Sequence, residues 1–204
     1  IAAVAADGPD RGELLWESTA WDRRIVAPCP VQLDGGRVFM TSGHGAGSMV
    51  LRVTSADGSF SIEPLYTLKT TVFACEQQTP VYFAGHLFGV LPKDAGERRE
   101  QYVCVKPDGT LQWASGPEYR FGLGPSLFAD GKIFVLEDRG TLHMLRRSTR
   151  TFELLDKAAI LDGRDAWGPL ALAGTRLLAR DDGRMVCVDL APPSSAADSQ
   201  EGWS

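Results

Sequence analysis

The stretch Pro125-Ser126-Leu127-Phe128-Ala129-Asp130-Gly131-Lys132-Ile133-Phe134 sets alternating apolar residues before a glycine turn and a β-branched, aromatic run after it. Period-2 alternation marks a strand, and Asp-Gly supplies the positive φ that a tight turn needs, so the stretch reads as a β-hairpin. The phrase returns three times. It reads Pro30-Val31-Gln32-Leu33-Asp34-Gly35-Gly36-Arg37-Val38-Phe39, then Pro80-Val81-Tyr82-Phe83-Ala84-Gly85-His86-Leu87-Phe88, and last Pro169-Leu170-Ala171-Leu172-Ala173-Gly174-Thr175-Arg176-Leu177-Leu178. The turn glycines Gly36, Gly85, Gly131 and Gly174 are spaced by 49, 46 and 43 residues. A repeat of about 40–50 residues built only of short strands is the signature of a β-propeller blade.

Working outward, each hairpin is followed by a third strand, at Met49–Val53, Gln101–Val105, Thr141–Leu145 and Arg184–Val188. Fourth strands follow at Ser59–Glu63, Thr110–Ala114 and Thr151–Leu155. No stretch shows the 3.6-residue period of a helix, so the expected class is all-β, a propeller of four-stranded antiparallel blades with about four visible. The blades fall at about 25–68, 71–115, 120–158 and 165–190. Residues 1–18 form the tail of a preceding blade, because Gly12-Glu13-Leu14-Leu15-Trp16 repeats the closing phrase Gly109-Thr110-Leu111-Gln112-Trp113. Residues 1–190 thus read as one propeller domain, or part of one. Residues 191–204, opening Ala191-Pro192-Pro193-Ser194-Ser195, have the composition of a disordered tail.

The last blade lacks a fourth strand. Two closures follow: residues 12–17 supply it and shut a four-bladed ring, or the chain is the C-terminal half of an eight-bladed ring whose N-terminal half supplies it. A start in mid-blade favours the second, and a first residue of Ile rather than Met reads as a processed, cut or partial product.

Composition narrows the function classes. A net charge of −5 argues against a nucleic-acid partner, and no apolar run reaches the length of a membrane span. The basic group Arg139, Arg146, Arg147 and Arg150 reads as a solvated hairpin surface. Cys29, Cys75, Cys104 and Cys187 form no C-x-x-C pair. Cys104 and Cys187 share a repeat position and read as small buried residues.

The phrases Pro30–Phe39 and Pro125–Phe134, each a Pro-led strand, an Asp-Gly turn and a closing Val/Ile-Phe, with the Gly-turn-to-Trp closures ending at Trp16 and Trp113, resemble the PQQ-like β-propeller repeat family over roughly residues 1–190. The resemblance implies one of two branches. Quinoprotein alcohol and sugar dehydrogenases in the family bind pyrroloquinoline quinone and calcium on the axis, with a vicinal cysteine pair that this chain lacks. The other branch, similar to the outer-membrane assembly lipoprotein propeller, is non-catalytic and presents loops and blade faces to proteins. The expected function is therefore a non-enzymatic binding scaffold in an exported, periplasmic bacterial protein, with no cofactor. Its expected partner is a protein or the missing N-terminal propeller half. The alternative is a PQQ- and calcium-dependent dehydrogenase whose cofactor residues lie largely outside this chain.

Two residues stand out as ligand-binding candidates. His44 sits in Gly43-His44-Gly45-Ala46-Gly47, where a strand rather than a helix follows, so the glycines read as a flexible hairpin and not a phosphate loop. Trp167 precedes Gly168-Pro169 at the start of an axis-lining strand. His86 reads as a polar turn residue and His143 as a strand residue facing away from Leu142 and Met144. Three isolated histidines offer no metal spacing, and neither a G-x-S-x-G elbow nor an EF-hand series is present, so no catalytic residue and no metal ligand is assigned.

Overall fold

The computed structural model describes residues 1–191, all in short antiparallel strands and their connections. The expected tail from 192 onward lies outside the described residues. A single 3-10 turn, Gly96–Arg98, is the only helical element among them. The strands group by chain neighbourhood, as a meander dictates. β1 (Ala2–Val4) pairs with β2 (Leu14–Glu17), and β3 (Val31–Leu33), β4 (Arg37–Ser42), β5 (Gly47–Ala56) and β6 (Ser59–Leu68) form the first four-stranded sheet. The second holds β7 (Val81–Phe83), β8 (His86–Val90), β9 (Tyr102–Val105) and β10 (Leu111–Ala114). The third holds β11 (Ser126–Ala129), β12 (Lys132–Leu136), β13 (Thr141–Arg146) and β14 (Leu154–Ala159), and a last sheet has β15 (Ala171–Ala173), β16 (Arg176–Arg180) and β17 (Met185–Asp189).

Consecutive sheets stack face to face, and the core lies between them. Phe39, Val50, Phe73, Leu87 and Val103 fill the space between the first two full sheets. Phe88, Tyr102, Trp113, Phe121, Ile133 and Val135 fill the next, and Phe134, Leu142, Leu161, Leu170 and Leu177 the one after. A sheet buried on both faces needs apolar residues at successive positions, not at alternate ones. Ile133, Phe134, Val135 and Leu136 of β12 are accordingly all buried. This meander of stacked four-stranded sheets is a β-propeller. In β16 burial alternates: Leu177 and Ala179 face the third sheet, while Arg176, Leu178 and Arg180 are exposed. The far face of that last sheet carries no packed neighbour among the described residues.

Three local expectations change. The outer strand of the third sheet begins at Leu154, not Thr151, because Ser148 Oγ accepts the N–H groups of Arg150 (3.1 Å) and Thr151 (3.3 Å) and turns the chain there. Cys104 is fully buried as expected, and burial pushes its thiol up to about 12, but Cys187 is exposed on the open face of the last sheet. Finally, Leu14–Glu17 pairs with β1 and does not reach β17. The connection from Glu17 to Val31 anchors β1–β2 beside the first full sheet, with buried Trp21 packed on Met40, Met49 and Leu51.

Candidate functional site

The propeller's two faces differ. One carries the tight turns inside the repeated hairpins (Gly35-Gly36, Ala84-Gly85, Asp130-Gly131 and Ala173-Gly174). The other collects the loops between second and third strands (43–46, 91–101, 137–140 and 181–184) and the sheet-to-sheet connections (18–30, 69–80, 115–125 and 160–170). His44 and Trp167 both lie on this loop face.

The Gly43–Ala46 hairpin turns with His44 itself in the left-handed region, φ 55°, a conformation that costs a non-glycine residue energy and that histidine tolerates better than most. Gly43 has no room for a Cβ, which would meet the Glu76 side chain at 2.6 Å. The hairpin is held from the second sheet's side. Asp94 Oδ2 accepts the Gly45 N–H at 2.6 Å, and Glu76 Oε1 lies 3.6 Å from His44 Nε2. Glu76 is only 14% exposed, whereas His44 is 54% exposed. On the hairpin's other side, Arg23, Arg24 and Ile25 border an open cavity of about 590 Å³ that the hairpin lines opposite them.

Trp167 is half-buried, and its indole N–H is buried without a hydrogen-bond partner among the described residues. Its carbonyl accepts Gln78 Nε2 at 2.7 Å, a bond that joins the connections ahead of the second four-stranded sheet and the three-stranded last sheet. The structure does not put His44 and Trp167 in one pocket. It links them through residues 76–78, which touch His44 at one end and Trp167 at the other.

The loop face is tied together along its length. Ser42 Oγ donates to Ile25 O, Phe121 N–H to Glu100 O (2.7 Å), Asp138 N–H to Phe121 O (3.2 Å) and Ala166 N–H to Asp138 O (3.1 Å). Asp181 fixes the last loop by accepting from Arg184 (2.7 Å), Gly183 (2.8 Å) and Gly163 (3.0 Å). Those backbone N–H groups, Arg184's and Gly183's most, hold its carboxyl below the usual carboxylate range. Asp138 is pushed the other way, by burial first and then by the charges of Glu100 and Glu137. Beside it His143 lies buried, edge-on to Phe121 at 4.9 Å and 3.5 Å from Glu137 Oε2. Burial lowers its pKa against the opposing pull of Glu137. Among the described residues, no three His, Cys, Asp or Glu side chains converge as a metal-holding set.

The remaining candidates are structural. His86 Nδ1 lies 2.7 Å from the Ala84 carbonyl across its own turn. In the basic group, Arg146 pairs with Glu153 at 2.7 Å, and Arg147 stacks over the Phe83 ring at 4.4 Å on the opposite face. Sequence reasoning passed over Arg23, Arg24, Glu76 and Gln78. The adjacent pairs Arg23-Arg24 and Gln77-Gln78, sitting in connections and not in hairpins, were the available signal.

No helix among the described residues is long and apolar enough to cross a membrane. No family model matches the chain, and no curated protein matches it either. Among solved structures, the chain is similar to BamB from Moraxella catarrhalis at 13% identity and TM-score 0.41, with 84% of this chain and 62% of that one covered. It is also similar to a Bacteroides uniformis protein described as a candidate 6-phosphogluconolactonase, at 13% identity and TM-score 0.47, covering 76% of this chain and 53% of that one. The chain thus spans less than two thirds of either protein's length, and at 13% identity neither likeness extends to ligand, partner or activity.

Proposed function

We propose that this chain is a non-catalytic binding scaffold of an exported bacterial protein, presenting its loop face to a protein or small ligand. The observation that carries the reading is the cross-linking of that face. Hydrogen bonds run from the 18–30 connection through the loops at 43–46, 91–101 and 137–140 to residues 160–170, so the longest irregular segments are held by one another. A surface fixed in advance loses little conformational freedom on binding, which favours recognition. The exposed apolar residues of the two end sheets, Val4, Leu14 and Leu15 on one and Leu178 and Met185 on the other, support a ring completed by further blades.

The test is photo-cross-linking in the source cell. A photoreactive side chain is placed at Gln77, Arg120 or Arg164 on the loop face, and at Asp57, Asp130 or Thr175 on the other. Discrete adducts from the first set alone are expected; adducts equally from both sets, or from neither, overturn the reading. Quinone-dependent, dye-linked oxidation of alcohols or sugars by the full-length product with calcium would replace it with the dehydrogenase alternative.

A further inference from the structure

We propose that the cavity between the Asp22–Ile25 connection and the Gly43–Ala46 hairpin binds an oxyanion, the phosphate or carboxylate group of a small molecule, with Arg23 and Arg24 as its principal donors. This names a ligand class for one part of the loop face and rests on reading that face as a binding surface. At about 590 Å³ the cavity has the size of a small-molecule site. Arg52, Lys132, Arg146 and Arg184 are each engaged by a carboxylate, but among the described residues neither Arg23 nor Arg24 is.

Arg23 is placed, not merely present. Trp21, 5% exposed, anchors the connection in the core, and the Arg23 guanidinium lies 4.6 Å from its ring centroid. Arg23 Nη1 also donates to Asp22 O at 2.7 Å, which orients the fork and leaves its other N–H groups free. Ser42 Oγ ties Ile25 to the base of the hairpin, so the two walls of the cavity keep a fixed separation.

Local charge favours an anion. The carboxylates of Glu76 and Asp94 are engaged with His44 and the Gly45 amide, and neither residue lines the cavity. The lining is then two guanidinium groups, an imidazole, glycine backbone and the short apolar surfaces of Ile25 and Ala46. Guanidinium forks pair bidentately with carboxylate and phosphate, and two of them on one wall of a concave surface add their fields at the same place. The acidic balance of the whole chain, −5, directs the site to a small anion and not to a polynucleotide.

The experiment titrates the isotope-labelled full chain with sodium phosphate and, separately, with sodium citrate, each against sodium chloride of equal ionic strength, and follows backbone amide shifts. Saturable shifts at Gly43, His44, Gly45 and Ala46, with none at Gly131 or Gly174 on the opposite face, are expected for at least one anion. Response to phosphate alone identifies a phosphorylated ligand, response to citrate alone a carboxylate, and either supports the proposal. The double variant Arg23→Gln, Arg24→Gln should weaken binding by about tenfold or more, since charge-assisted hydrogen bonds are lost. Arg24→Gln alone, on an exposed side chain, should still weaken it several-fold without disturbing the fold. No saturable shift beyond chloride, or shifts that persist unchanged in both variants, overturns the proposal. Failure here with loop-face cross-links intact removes the anion site and leaves the scaffold reading. Failure of the cross-links with the titration intact removes the scaffold reading alone.

Discussion

Replacing Trp113 by alanine should be among the most damaging single changes in the chain. Trp113 belongs to the outer strand β10, where its ring lies 5.9 Å from Phe88 and 6.1 Å from Tyr102 of its own sheet, and it reaches the next blade at Phe152, 5.9 Å away. It is 7% exposed, and its indole Nε1 donates to Ser148 O at 2.9 Å. Truncating a buried aromatic residue costs about 3–5 kcal/mol, and the lost hydrogen bond about 1 more. Against a total stability of about 5–15 kcal/mol for a folded protein, that is a large share. Trp113→Phe retains a ring and should lose about 1–2 kcal/mol, chiefly through the unpaired Ser148 carbonyl. Trp16 shares the repeat position, but it is half-buried beside an open cavity of about 430 Å³, so Trp16→Ala should cost only about 1 kcal/mol. Urea unfolding followed by far-ultraviolet circular dichroism, with m-values compared, reads all three. A loss at Trp113→Ala below about 1 kcal/mol, or no larger than at Trp16→Ala, would refute the view that the outer strand wedges neighbouring blades together.

Three further outcomes are expected. His143 has its pKa lowered by burial, so the unfolded chain binds a proton more readily than the folded one. Stability should therefore be full above the unfolded value near 6.5 and fall as pH drops below it, and His143→Gln should flatten that fall in denaturant titrations at several pH values. Asp138 has its pKa raised by burial and by Glu100 and Glu137, so its charged form burdens the fold above the folded pKa and not below the unfolded value. Asp138→Asn should accordingly gain about 0.5 kcal/mol or less near neutrality, since the site is partly solvated, and nothing at pH about 3; a loss at neutrality would contradict the assignment. Gln78→Ala removes the bond to the Trp167 carbonyl and should cost about 1 kcal/mol. Amide hydrogen exchange should quicken in residues 162–168 and stay unchanged on the opposite face.

The repeated hairpins were legible because their information is local. Alternation, Asp-Gly or Gly-Gly at the turn and a fixed spacing of glycines act over a few residues, and together they indicated an all-β chain of short meandering strands before any contact was known. Local reading failed where a side chain competed with the ladder, as Ser148 does ahead of β14. It also failed where the partner comes from elsewhere. Cys104 and Cys187 occupy one repeat position, but only Cys104 has a sheet packed against it. Likewise Trp16 and Trp113 share a phrase and differ in burial, because burial depends on what the next blade brings.

The candidate site was harder to see for the same reason. The glycines around His44 announced a turn, and Gly168-Pro169 announced the start of a strand near Trp167. That residues 76–78 touch both, 32 and 89 positions away, is a consequence of sheets stacking around an axis. Arg23 and Arg24 draw no notice until the connection carrying them is set against a hairpin 20 residues on and the nearby carboxylates of Glu76 and Asp94 are found engaged with His44 and the Gly45 amide. The sequence by itself determined the strands, the turns and the repeat, since those follow from backbone preference and period. Which residues face each other across the loop face was decided by the tertiary structure, because side-chain chemistry there depends on distances between segments that no local pattern encodes.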